Sequence, residues 1–230
     1  MLKKTFHGFK RAVSIVPVSA LLSISEAYHR ARTQTYWSNT TVTHGDMSNK
    51  QFDFYVHELI KLIGEQDIGQ RLLDYGGGNG EIAEILQASG FSVDVAEFSI
   101  NFKKNIESKR LKFVSAEQLP IESYDIIIAN NCIFYTHPNK LNAEISRLMR
   151  SLRSGGVLWI TDTPTKEKIN RLTANKFLRT LFRVTGVYQS DLGGFFVDSQ
   201  ALSKQFNAKI FDSWTPYRSH FKIVKSWNCI

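Results

Sequence analysis

The sequence predicts a doubly wound α/β fold on a mostly parallel sheet, and three observations carry that prediction. Strand-like apolar runs alternate with helix-like stretches at a steady rhythm from Arg71 to Asp162. Four glycines, Gly76, Gly77, Gly78 and Gly80, link the first strand of that series to its first helix. Ile126–Ala129 is a continuous apolar run, as in a strand buried on both faces. Right-handed crossovers then place a ligand at the carboxyl ends of the strands.

Each element follows from its own pattern. Phe52, Tyr55, Val56, Leu59, Ile60, Leu62 and Ile63 recur at helical spacing and predict a helix covering the first strand, with Gly64 and Gly69 at its exit. The first strand is Arg71–Tyr75. Its helix presents Ile82, Ala83, Ile85 and Leu86 to the sheet and runs to Ser89-Gly90, where Gly90 suits a C-terminal cap. FSVDVAEFS forms the second strand, which ends at Glu97. A short helix, Phe102 to Ser108, precedes a third strand in Leu111–Pro120, and YDIIIANNCIFY gives the fourth. Residues 139–153 read as a helix ended by Ser154-Gly155-Gly156, and VLWITD is the fifth strand. A basic helix from Lys166 to about Thr185 follows, then a short helix N-capped by Asp198. AKIFDSW and HFKIVKS close the chain as an antiparallel hairpin at one sheet edge. Residues 51–230 are expected to form one domain, and residues 1–50 a basic, helical and lid-like extension.

Composition narrows the class. The 230 residues, 43% hydrophobic and 22% charged, suffice for a full core. Cys132 and Cys229 have neither metal-ligand spacing nor a disulfide framework, so no metal is expected and a reducing, cytoplasmic setting is. The net charge of +8 is uneven: residues 1–50 carry seven Lys/Arg against two Asp/Glu, and residues 166–230 carry eleven against four. Between them, eleven basic residues face fifteen acidic ones. Basic flanks of this kind suit an anionic partner, whether nucleic acid, a phosphorylated substrate or the inner face of a membrane. The apolar run from Ala12 is interrupted by Pro17 and serines and is too short to span a bilayer. It reads as a basic amphipathic arm that lies on a membrane surface or packs on its own domain.

A strand, a glycine turn and a helix together make a nucleotide-type site, with helix N–H groups at its mouth. Glycine lets the backbone take positive φ and approach a ligand with no Cβ in the way. Gly78-x-Gly80-x-x-Ala83 satisfies the dinucleotide fingerprint, with Glu97 placed to accept from ribose hydroxyls, so an NAD-dependent oxidoreductase is one reading. The wider order points elsewhere. Asp74-Tyr75-Gly76-Gly77-Gly78-Asn79-Gly80 resembles the D-x-G-x-G-x-G motif of class I S-adenosylmethionine-dependent methyltransferases. Ala116-Glu117-Gln118-Leu119-Pro120 after the third strand, Tyr124-Asp125 opening the fourth, LMRSLRSGGVLWITD and the terminal hairpin resemble that family in the same order.

The resemblance implies a Rossmann-like methyltransferase fold of seven strands, with S-adenosylmethionine as cofactor and S-adenosylhomocysteine as product. It implies that Gly76 and Gly78 admit the methionine part of the cofactor, that Asp74 orients the loop or meets the amino group, and that Glu97 holds the ribose. Phe98 would lie against the adenine, Ala116 and Glu117 at its edge, and Asn130 beneath the methionine chain. Ser115 stands where many relatives carry Asp.

The loop after the fourth strand usually faces the transferred methyl, and here it contains Tyr135 and His137. His137 has the native pKa of a general base, or it caps the next helix; Tyr135 would orient the acceptor. His44 and His220 are further candidates, and Tyr36 and Trp37 suit a lid. The [DN]-P-P-[YF] motif of many amino-directed enzymes is replaced by Asn130-Asn131-Cys132-Ile133. The expected acceptor is therefore a small molecule, a sugar or a lipid-linked compound, with O-methylation favoured. RNA- or protein-directed transfer and a non-catalytic cofactor-binding subunit are the alternatives.

Overall fold

A computed structural model describes residues 49–64, 70–168, 195–213 and 218–226. In chain order these residues form α1 (Asn49–Ile63), β1 (Arg71–Tyr75), α2 (Glu81–Ala88), β2 (Ser92–Glu97), α3 (Lys103–Ser108) and β3 (Lys112–Ser115). There follow β4 (Tyr124–Asn130), α4 (Pro138–Ser151), β5 (Leu152–Pro164), α5 (Ser199–Phe206), β6 (Lys209–Asp212) and β7 (Arg218–Val224). Short 3₁₀ turns cover Ile100–Phe102 and Ile133–Tyr135.

The strands form one seven-stranded sheet in the order β3-β2-β1-β4-β5-β7-β6. The pairs among β3, β2, β1, β4 and β5 are parallel, and β7 runs antiparallel to both β5 and β6. Side chains alternate across the pleat, so each face has its own core. Leu72, Val93, Val95, Ile126, Ile128 and Trp159 meet Leu59, Ile63, Ala83, Leu86 and Ile106 of α1, α2 and α3. On the other face Leu73, Tyr75, Ile127, Ala129, Leu158, Ile160 and Phe221 meet Ile145, Leu148 and Leu202 of α4 and α5. Asp74 and Asn130 continue the first series and Tyr75 the second, which aims them to opposite sides of the sheet.

Helix ends follow the expected chemistry. Gly90, at φ 99°, lets Phe91 N–H reach Leu86 O and Gly90 N–H reach Gln87 O, which closes α2 with a Schellman turn. Asp198 caps α5 by accepting from Ala201 N at 2.9 Å. Three boundaries differ from the sequence expectation. α4 stops at Ser151, before the glycines, because Leu152 already pairs with Tyr124 as the first residue of β5. Gly155 and Gly156 therefore lie inside a thirteen-residue strand, where Gly156 passes so close to Asp125 O that a Cβ would stand 3.0 Å from it. The third strand is four residues, Lys112–Ser115, and gives way at once to the turn after it. The N-terminal extension with Tyr36, Trp37 and His44, and the basic helix beyond Lys168, lie outside the described residues. No helix among the described residues is long and apolar enough to cross a membrane.

Candidate active site

The glycine turn sits at the carboxyl ends of β1 and β2 and is held from several directions. Gly76 N–H donates to Ala96 O at 2.7 Å, and Gly78 N–H donates to the Glu97 carboxylate at 2.9 Å. The Cys132 thiol donates to Tyr75 O at 3.1 Å, and Asn105 donates to Asn79 Oδ1 at 2.8 Å. Gly76 has φ 72°, and a Cβ there would stand 2.7 Å from the Cβ of Cys132. A side chain is excluded twice over, by backbone conformation and by space.

Asp74 lies beneath this turn. A Cβ on Gly77 would approach its Oδ2 to 2.6 Å, and that oxygen is buried without a hydrogen-bond partner among the described residues. Burial, with the Glu97 charge adding to it, pushes the Asp74 carboxyl up to about 7. An orphaned buried acceptor of this kind is stabilised by a cation or a strong N–H donor.

Glu97 is already well engaged. Its Oε1 accepts from Phe98 N at 2.7 Å and Ser99 N at 3.1 Å, while Oε2 accepts from Gly78 N. Burial raises its pKa, and these three N–H bonds act in the opposite sense. A carboxylate has about four acceptor sites, so one on Oε2 remains for a ligand hydroxyl. Phe98 is 60% exposed beside it, its ring edge-on to Tyr75 at 5.4 Å between centroids.

Ala116 and Glu117 part company. Ala116 is fully buried, its N–H donates to Glu97 O at 3.3 Å, and its carbonyl accepts from the Arg147 guanidinium. Arg147 also donates to Tyr75 Oη at 2.9 Å and pairs with Glu144, to which Tyr75 donates its hydroxyl proton. This network, on the α4 face, fixes the turn after β3. Glu117 is exposed, and its N–H lies 3.4 Å from Ser115 Oγ.

Asn130 ends β4 on the α1 face. Its Oδ1 accepts from the Tyr55 hydroxyl and, at 2.7 Å, from Thr161 Oγ1. Next to it Asn131 and Asp162 both take left-handed backbone, at φ 50° each. Arg218 ties them together by donating to Asn131 Oδ1, to Asp162 O at 2.7 Å and to Asp162 Oδ2 at 3.0 Å. Ser213 donates to the other Asp162 oxygen at 2.9 Å. Tyr55, Thr161, Asp162 and Arg218 did not stand out in the sequence. The signal that could have found two of them is position: Thr161 and Asp162 are polar residues at the carboxyl end of a buried strand.

Tyr135 and His137 lie on the α4 face. Tyr135 is half-buried against the core there, its ring 4.4 Å from that of Phe134. His137 is the N-cap of α4: its Nδ1 accepts from Asn139 N at 3.3 Å, and its ring meets Phe195 edge-on at 5.2 Å. His220 is buried, its Nδ1 accepts from Asp162 N at 3.0 Å, and burial lowers its pKa to about 4. It is a neutral structural acceptor at physiological pH.

A sheet of order 3-2-1-4-5-7-6 with one antiparallel strand departs from the 3-2-1-4-5-6 order of the dinucleotide-binding fold. With a buried carboxylate under the glycine turn, that order is the one expected of a class I methyltransferase, and the family match sets aside the oxidoreductase reading. The chain belongs to that family: the family model described as "Methyltransferase domain" matches residues 47–214. It is an S-adenosylmethionine-dependent enzyme.

Solved structures share the fold at low identity. An O-methyltransferase family protein from Burkholderia thailandensis is 13% identical, with TM-score 0.56 over 77% of this chain. This chain spans only 57% of that protein's length. The N-methyltransferase NodS from Bradyrhizobium japonicum WM9, solved with S-adenosylhomocysteine, is 10% identical over 84% of this chain and 98% of its own, with TM-score 0.59. Magnesium protoporphyrin IX methyltransferase from Synechocystis PCC 6803 is 17% identical over 90% and 99%, with TM-score 0.52. No curated protein matches this chain.

The residues present fit the cofactor. The orphaned Asp74 oxygen suits a cationic amino group, and exposed Phe98 offers a ring to a nucleobase. Among the described residues no group of three or more His, Cys, Asp or Glu is placed to hold a metal ion.

Proposed function

We propose that this enzyme methylates a hydroxyl group of a small-molecule, sugar or lipid-linked acceptor, in the cytoplasm or at the inner face of a membrane. The observation that carries the donor half of the reading is the buried, unpartnered Asp74 oxygen beneath the glycine turn. In this reading Asp74 holds the amino group of S-adenosylmethionine, Gly76 and Gly78 let it approach, Glu97 accepts from the ribose through Oε2, and Phe98 covers the adenine. Ala116, buried and clamped, shapes the floor of the adenine edge, and Asn130 lies beside the methionine chain. Glu117, exposed at the turn, borders the adenine from the solvent side.

Bound S-adenosylmethionine supplies a sulfonium methyl that is already electrophilic, so the protein's part is alignment and exclusion of water. A hydroxyl acceptor must also lose its proton. In this reading His137, whose Nδ1 caps α4 by accepting from Asn139 N at 3.3 Å, takes the acceptor proton as general base. Tyr135, three residues beyond Cys132, shapes the same loop. The basic flanks of residues 1–50 and 166–230 support an anionic or lipid-linked acceptor, and the absence of [DN]-P-P-[YF] at Asn130 supports oxygen over nitrogen.

The test is a screen with methyl-labelled cofactor against hydroxylated small molecules, sugars, lipid extracts, RNA and protein, with the product bond identified by mass spectrometry. A methyl ether on a non-polymeric acceptor is the expected product. Label found only in RNA, in protein or on nitrogen would overturn the proposal.

A further inference from the structure

We propose that Tyr55, on the helix preceding the glycine turn, is a positioning residue of the donor site: with Thr161 it fixes the Asn130 amide so that its N–H groups, and not its carbonyl, meet the ligand. The inference rests on the reading of Asp74 and the glycine turn as the methyl-donor site.

A primary amide offers one carbonyl oxygen with two lone pairs and one nitrogen with two N–H donors. Both lone pairs of Asn130 Oδ1 are occupied, by the Tyr55 hydroxyl and by Thr161 Oγ1 at 2.7 Å. Neither N–H is engaged by a described group. Turning the amide over would take the acceptor from the fully buried Thr161 hydroxyl, leaving a buried donor unsatisfied. Burial, with the charge of Asp162 adding to it, keeps the Tyr55 phenol well above its ordinary pKa, so it stays a donor.

The direction in which the donors face follows from the sheet. Asp74 lies opposite Ile128 in the parallel β1–β4 pair, and Asn130 is two residues further along β4. Period-two alternation puts both side chains on the α1 face, roughly 8 Å apart from the strand spacing and rise. One face thus carries a buried acceptor with no partner and, beside it, a pair of N–H donors with none. That pattern is complementary to the ammonium and carboxylate of an α-amino acid, the end group of the methyl donor. Without Tyr55 and Thr161 the same amide could present its carbonyl, which repels a carboxylate. The donor site therefore extends beyond the glycine motif onto α1.

Calorimetry with two probes tests this: S-adenosylhomocysteine, which has the amino-acid end, and 5′-methylthioadenosine, which lacks it. Tyr55→Phe and Thr161→Val should each weaken S-adenosylhomocysteine about ten-fold and leave methylthioadenosine within about two-fold. Asn130→Asp keeps an acceptor for both hydroxyls but removes the N–H donors. It should weaken S-adenosylhomocysteine by about a hundred-fold or more, again sparing methylthioadenosine. The ratio of the two affinities in each variant controls for general loosening of the fold. If Tyr55→Phe weakens both probes equally or neither, or if Asn130→Asp keeps the wild-type ratio, the inference fails while the donor reading stands. A wild-type protein that binds neither probe overturns both.

Discussion

The two halves of the site are built by different means. On the β1–β2 side the backbone does the work: glycine N–H groups, a left-handed turn and one carboxylate strapped down by three N–H donors. On the β4–β5–β7 side long side chains do it, with Tyr55, Thr161 and Arg218 reaching from three elements to fix Asn130, Asn131 and Asp162. A backbone site tolerates little variation, because a Cβ at Gly76, Gly77 or Gly80 would meet neighbouring atoms at under 3.0 Å. A side-chain site is re-aimed by a single substitution.

The contrast can be broken most forcefully at Asp74. Its carboxyl is raised in the folded state to about 7, from about 4 in an unfolded chain. Protonation therefore stabilises the ligand-free fold fully below about pH 4, and that contribution is lost as pH rises through about 7. Unfolding by denaturant should show stability falling by up to roughly 4 kcal/mol over that window, and Asp74→Asn should flatten the fall. Binding of S-adenosylhomocysteine, whose ammonium favours the ionised carboxylate, should strengthen over the same range. A flat profile in the wild type would show that the Asp74 carboxyl is not buried as described.

Arg218→Met is next in size. It leaves the buried Asp162 without its cation and should cost about 3 kcal/mol, measured by thermal or denaturant unfolding. If the two halves are separable, the folded variant binds S-adenosylhomocysteine with near wild-type affinity and loses turnover on the acceptor. A parallel loss of cofactor binding would merge the halves into one.

Gly76→Ala should cost about 2 kcal/mol, from the left-handed backbone and the contact with Cys132. Pairing it with Cys132→Gly, which removes the Cβ that the new methyl meets, should return the steric part and leave the conformational part, so a double-mutant cycle gives a coupling of about 1 kcal/mol. Zero coupling would mean that the turn moves away from Cys132.

The smallest effect is expected at His137. His137→Ala should cost about 1 kcal/mol as a lost cap, and His137→Asn should restore most of it. Both variants should bind S-adenosylhomocysteine normally. If Asn also restores turnover, the cap is the whole role of His137; if only stability returns, the imidazole acts on the acceptor.

Much of the glycine-turn side was legible because its signals are local. Asp74, Gly76 and Gly78 fall within one strand-turn-helix unit, and Glu97 ends the next strand. The caps at Gly90 and Asp198 were readable for the same reason, since each satisfies backbone groups within a few residues. The end of α4 was misread because a Ser-Gly-Gly stretch stops a helix in most settings. Here pairing of Leu152 with Tyr124 intervenes two residues earlier, and the glycines serve close strand passage instead. Ala116 was expected at the adenine edge; the structure shows it buried and clamped by Arg147, 31 residues away.

The sequence by itself determined the fold class, the methyl-donor family and the residues of the glycine turn, because periodicity, backbone freedom and capping act over short stretches of chain. Only the tertiary structure decided which way the Asn130 amide is held, what clamps Asn131 to Asp162 and why the oxygen of Asp74 lies without a partner. Tyr55 is 75 positions from Asn130, and Arg218 is 87 from Asn131. Contacts at that range leave no pattern in a single sequence, since each side chain is chosen by neighbours that only the packed sheet brings together.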